Sequence, residues 1–139
     1  MIILDTNVLS ALMGQVPDKR VVDWLDNQPR SSIWTTSVTI LEIRFGLQIL
    51  PAGKRRSLLM SAFETLLTKE LGGRIASFDA VAAQHASDLM SRRHRRGRPV
   101  DLRDTMIAGI VVANGATLAT RNTQHFADVA AAVINPWSS

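Results

Sequence analysis

Met1-Ile2-Ile3-Leu4-Asp5-Thr6-Asn7 opens the chain. An apolar triplet that runs straight into a carboxylate reads as a short buried strand ending at Asp5. Further strand candidates are Ser32 to Thr35, Arg74 to Phe78, Thr117 to Thr120 and Ala132 to Ile134. Amphipathic stretches lie between them. Val21, Val22 and Leu25 recur at helical spacing from Asp18 to Gln28, and Pro29 stops the run. Ser37 is positioned to cap a helix that reaches about Leu50, where Pro51 breaks it. A third amphipathic run, Ser57 to Leu71, closes at Gly72-Gly73. Asp79 caps a helix from Ala80 to Arg96 that Gly97 and Pro99 terminate, and Leu102 to Ala113 ends at Asn114-Gly115. Strands alternating with helices imply right-handed crossovers and a parallel sheet covered on both faces. The expected unit is one α/β domain over residues 1–139, with the Arg-rich stretch before Pro99 as its long loop.

Composition agrees with that reading. A chain of 139 residues buries roughly 70% of its unfolded surface on folding, enough for an ordinary core. Apolar residues make up 46% and charged residues 20%, which is globular composition. There is no cysteine, which excludes disulfide scaffolds, thiolate metal sites and thiol nucleophiles. No apolar run approaches the ~20 residues of a membrane helix, and no basic segment precedes the first strand as a signal peptide would require. A cytoplasmic protein without a membrane partner is expected.

Four polar residues carry the chemistry. Asp5 follows the first strand, Glu42 lies in the first two turns of the helix after the second, Asp104 opens the helix from Leu102, and Asn122 follows the fourth strand. In an open parallel sheet, strand C-terminal ends and the helix N-termini after them share one edge, where ligands bind. Topology alone therefore gathers residues scattered over the chain. Phe45, Gly46 and Ile49 are the helical neighbours of Glu42, placing that carboxylate along an apolar stripe. Two carboxylates ~4 Å apart repel by ~1 kcal/mol in water and ~4 kcal/mol at an effective dielectric near 20. Three at one mouth need a cation or a retained proton. A bound arginine would serve, but oxygen-rich sites of this kind suit Mg²⁺ or Mn²⁺. Taken singly, each residue has a plainer reading: Asp5 a helix cap, Asp104 a dipole partner, Glu42 an exposed helix residue, Asn122 a turn.

Four blocks and a closing motif together resemble a known family. Leu4-Asp5-Thr6-Asn7-Val8-Leu9, Ser37-Val38-Thr39-Ile40-Leu41-Glu42-Ile43-Arg44-Phe45-Gly46, Asp104-Thr105-Met106-Ile107-Ala108, Ala119-Thr120-Arg121-Asn122 and Asn135-Pro136-Trp137 look like a PIN-domain ribonuclease. The likeness is to the VapC-type toxins of type II toxin–antitoxin modules, and among them to FitB-like members. It implies a three-layer sandwich around a five-stranded parallel sheet in order 3-2-1-4-5, and Mg²⁺- or Mn²⁺-dependent cleavage of RNA. Asp5, Glu42 and Asp104 match the family's acidic triad and are the expected metal ligands. Asn122 stands where many members carry Asp, so a second metal is expected to bind weakly or only with an RNA phosphate as ligand. Thr6 matches the small hydroxyl residue of these sites, and Asp101 is the runner-up to Asp104. The resemblance also implies a VapB-type antitoxin whose tail fills the acidic mouth, a toxin homodimer and a higher toxin–antitoxin assembly.

Arg92, Arg93, Arg95, Arg96 and Arg98 form a basic stripe, expected to grip RNA phosphates, with Lys54, Arg55 and Arg56 as a second patch. A solvated helix end is the plainer reading of the stripe. His85, His94 and His125 lack ligand spacing and read as bystanders. Two alternatives use the same elements: a non-catalytic nucleic-acid-binding domain, and a phosphotransfer domain with Asp5 as nucleophile. A haloacid-dehalogenase-type site would want an acid where Asn7 stands.

Overall fold

Ile2–Leu4 forms β1, the central strand of the sheet in the computed structural model, which describes residues 1–138; Ser139 lies outside it. β2 (Ile33–Thr36), β3 (Ile75–Ala76), β4 (Thr117–Ala119) and β5 (Val133–Ile134) complete the order β3-β2-β1-β4-β5. Every pairing is parallel, with Ile3 opposite Trp34 on one side and Leu118 on the other. Such short strands hold because successive side chains enter opposite cores. Ile3 and Leu118 pack with Ile107, Ile110 and Val111 on one face. Leu4 and Ala119 pack with Val8, Leu9, Val21 and Phe63 on the other. The result is the three-layer sandwich in the order that the family likeness implies.

Six α-helices flank the sheet among the described residues: α1 (Thr6–Met13), α2 (Lys19–Asp26), α3 (Ser37–Gln48), α4 (Lys54–Thr65), α5 (Ala80–Arg95) and α6 (Leu102–Ala113). The sequence pattern shows five of them and misses α1. That helix is two turns long and starts directly at Asp5; what holds it is burial of Val8, Leu9 and Met13, which no local propensity announces. Three further corrections have local causes. Thr36, not Ser37, caps α3, its hydroxyl accepting from Thr39 N–H, while Ser37 Oγ accepts from Phe78 N–H across the sheet end. The run expected from Ser57 begins at Lys54, and beyond Thr65 it widens into a π turn over Leu66–Glu70. The long loop expected before Pro99 is short: Arg92 to Arg95 lie in the last turn of α5, as the helix expected from Ala80 to Arg96 has them, and the chain leaves the helix through Gly97 at φ 67°.

α5 and α6 pack as an antiparallel pair, and Gly109 sets their approach. A Cβ there would lie 2.4 Å from the Ala82 carbonyl oxygen and 2.8 Å from the Ala86 Cβ. This contact fixes α6, and with it the first-turn position of Asp104. Among the described residues no helix is long and apolar enough to cross a membrane.

Candidate active site

Asp5 ends β1 and caps α1, and both roles tie its carboxylate down. Oδ1 accepts the Thr6 backbone N–H at 2.8 Å. Oδ2 accepts the Thr120 hydroxyl at 2.8 Å and the Asn7 amide at 3.3 Å. The residue is only 4% exposed. Burial pushes its pKa above the usual carboxylate range; the bonds from Thr120 and Thr6 pull it back, and the charges of Asp104 and Glu42 push it up again. The three acids are thus electrostatic neighbours, although Asp5 and Asp104 are 99 positions apart in sequence.

Each partner acid reaches the mouth from a helix. Glu42 lies in the second turn of α3 and accepts the Thr6 hydroxyl on Oε1 at 2.9 Å, while Oε2 faces Arg103 at 3.7 Å. Its apolar flank is not what half-buries it: Phe45 and Ile49 are 57% and 67% exposed, so that stripe faces outward and Thr6 does the anchoring. Asp104 sits in the first turn of α6, its backbone N–H bonded to the carboxylate of Asp101 at 3.0 Å. Asp101 is therefore occupied as the helix cap. Asp104 Oδ2 lies 3.1 Å from His125 Nδ1. Asn122 joins through its backbone, donating N–H to Thr120 Oγ1 at 3.0 Å.

Two residues given no role in the sequence reading belong here. Thr120 is fully buried; its oxygen accepts from Asn122 N–H and the Asn7 amide while its proton goes to Asp5. A hydroxyl closing an apolar strand is the signal that finds it. His125, expected to be a bystander, touches Asp104; nothing in its spacing foretells this, because a short 3-10 turn over Thr123–Phe126 delivers it. His85 and His94 lie on α5.

The basic stripe divides. Arg93 is 4% exposed and donates to both Asp128 oxygens at 3.0 and 2.9 Å, to Thr105 Oγ1 at 3.2 Å and to the His125 carbonyl at 2.7 Å. It is a structural clamp and not a free grip for RNA, which corrects the expectation for that residue. Arg98 pairs with Asp128 at 3.1 Å and remains half exposed. Arg92, Arg95 and Arg96 are exposed. A cavity of about 440 Å³ beside Asp104 is lined by Arg93, Arg98, Asp101 and His125 among others. Lys54 and Arg55 line a different cavity, of about 830 Å³, that none of the three acids borders.

The donor chemistry suits a hard divalent ion, because the three carboxylates offer only oxygen. The pKa of Asp5 is raised first by burial and then by the charges of Asp104 and Glu42, an unfavourable charging that such an ion would relieve. As the side chains stand, no three acidic or histidine groups among the described residues form a metal-holding cluster. Glu42 is bonded to Thr6 and faces Arg103, and Asp104 contacts His125.

An acidic mouth at the strand ends of a parallel 3-2-1-4-5 sheet defines a class of fold and site, and the comparison with known families agrees. The chain belongs to the PIN domain family, whose model matches residues 2–132. It is similar to VapC ribonuclease Y4jK of Sinorhizobium fredii, at 39% identity over 137 residues covering 99% of this chain and 98% of that protein. It is similar also to Toxin FitB of Neisseria gonorrhoeae, at 34% identity over 137 residues covering 99% of each. Among solved structures it resembles a chain of FitAB bound to an IR36 DNA fragment, with TM-score 0.88, 33% identity, and coverage of 100% of this chain and 97% of that one.

Proposed function

We propose that this chain is a Mg²⁺- or Mn²⁺-dependent endoribonuclease and the toxin of a toxin–antitoxin pair. The observation that carries the reading is the carboxyl of Asp5, held at the strand edge by Thr120 and Thr6 and raised in pKa chiefly by burial and further by the charges of Asp104 and Glu42. The names of relatives alike over nearly the whole chain, a VapC ribonuclease and a toxin FitB, support the reaction class and the biological role.

Asp5, Glu42 and Asp104 would hold the ion. Bound there, it would lower the pKa of a water and stabilise charge on the scissile phosphate during in-line attack. The chain's own groups prepare that site. Thr120 and the Thr6 N–H fix the two oxygens of Asp5. The Thr6 hydroxyl fixes the Glu42 carboxylate. The Asp101 cap orients the first turn of α6, and thereby Asp104. Asn122 brings no charge, so the mouth carries three formal negatives.

The partner reading is part of the proposal: a VapB-type antitoxin whose tail enters the mouth, a toxin homodimer, and a larger assembly of the two. α3 supports it by exposing Leu41, Phe45 and Ile49 at 61%, 57% and 67%, one apolar stripe at helical spacing that a lone chain leaves in water. The test of the activity is cleavage of total RNA with Mg²⁺ or Mn²⁺, in chelator, and with Asp5→Asn. Cleavage that needs the ion and vanishes in the variant is expected; cleavage that persists in chelator or survives the substitution would overturn the reading.

A further inference from the structure

We propose that Arg121, seated on the indole of Trp137, binds a phosphate of single-stranded RNA beside the one being cut; this rests on the nuclease reading above. The guanidinium carbon lies 5.0 Å from the centroid of the Trp137 ring. That ring is itself anchored. Its indole N–H donates to Asp18 Oδ2 at 3.0 Å, and the Trp137 backbone N–H donates to Asn135 Oδ1 at 2.9 Å. Asp18 in turn caps α2 through the Arg20 N–H. The platform is thus tied to a helix before any ligand arrives, which reduces the ordering cost of binding.

The arginine is also joined to the catalytic pocket. Its backbone N–H donates to Asn7 Oδ1 at 3.1 Å, and the amide of the same Asn7 donates to Asp5 Oδ2 at 3.3 Å. One amide side chain therefore spaces Arg121 from the buried carboxylate. Stacking on an aromatic face leaves the in-plane N–H donors of a guanidinium unused, and that planar fork matches the oxygens of a phosphate.

The other cations around the mouth are committed. Arg93 and Arg98 hold Asp128, and Arg103 faces Glu42. Arg121 is exposed and, among the described residues, forms no ion pair. A mouth built of acids repels a polyanion at the point where it must be cut. A fixed positive charge on the rim offsets that repulsion for a neighbouring phosphate without neutralising the carboxylates.

The experiment is binding of a labelled single-stranded RNA oligomer in chelator, where the proposed cleavage is silent, between 50 and 200 mM KCl. Each phosphate contact on a single strand contributes about 0.7 to the slope of log affinity against log salt. Arg121→Gln is expected to lower the slope by about that amount, so that the variant loses about 2.5-fold less affinity over this range than wild type. Arg121→Lys should restore the slope, and Lys69→Gln, an exposed charge in the turn after α4, should leave it unchanged. An unaltered slope in Arg121→Gln, an equal fall in Lys69→Gln, or no RNA binding by wild type would each overturn the inference. RNA binding through Arg121 by a protein that never cleaves, with any divalent ion, would defeat the nuclease reading and leave this contact standing.

Discussion

Asp128→Asn tests how the structure holds the third acid in place. Arg93 reaches from α5 to α6 through Thr105 and to the segment after β4 through Asp128 and the His125 carbonyl. His125 and Asp104 therefore face each other across elements that one buried guanidinium joins. The bond and charge of Arg93 lower the pKa of Asp128 to about 2, with Arg98 adding a little. An unfolded aspartate titrates near 3.9, so the native state favours the charged form by roughly two pKa units, or about 2.5 kcal/mol. Because the folded value is depressed, that stability is fully present above the unfolded value and disappears as pH falls from about 4 toward 2. Removing one member of a buried pair strands the other, at about 3–5 kcal/mol. Asparagine keeps one acceptor for Arg93, which puts the expected loss at the low end, about 3 kcal/mol. Urea denaturation followed by circular dichroism at pH 7 reads it directly. Repeating the measurement at pH 3 should show the gap between wild type and variant narrowed by about half, since the unfolded carboxyl is then mostly protonated while the folded one, at about 2, is still mostly charged. A variant within 1 kcal/mol of wild type at pH 7, or a gap that persists unchanged at pH 3, would refute the reasoning.

Other perturbations follow from single contacts. Gly109→Ala sets a Cβ 2.4 Å from the Ala82 carbonyl oxygen, so α5 and α6 must part. A loss of about 1–3 kcal/mol or more is expected in urea denaturation, and a neutral result would show that the helices yield freely. Thr120→Val removes the hydroxyl that bonds Asp5 and accepts from Asn122 N–H. RNA cleavage should fall at least tenfold while far-ultraviolet dichroism is retained, since a displaced carboxylate costs on the order of 1–3 kcal/mol of lost bonding. Asp5→Asn removes a buried carboxylate whose pKa burial and two acids raise. Its melting temperature in chelator should equal or exceed that of wild type even as cleavage is lost, and a marked fall would mean that the charge stabilises the fold.

The sheet was legible because its information is local: a run of two or three apolar residues closed by a polar one recurs, and alternation with helices dictates parallel pairing. α1 was not, because two turns of helix held by tertiary burial leave little periodicity to detect. Asp5, Glu42 and Asp104 stood out because parallel topology brings a strand end and the first turns of helices to a common edge. Their neighbours were harder to see. Thr120 bonds Asp5 across 115 positions and Arg93 meets Asp128 across 35, and no spacing rule encodes such pairs. The stripe of arginines misled at Arg93 because charge in a sequence suggests solvent, whereas an aspartate from a distant turn draws this guanidinium inside. Phe45 and Ile49 misled in the opposite sense, as apolar residues that face outward.

Calorimetric titration of the metal-free protein with Mn²⁺, run beside Asp5→Asn, tests the central claim most directly. Saturable uptake by wild type that the variant loses would show that these separated carboxylates form one cation site. No uptake by wild type, or equal uptake by both, would contradict it.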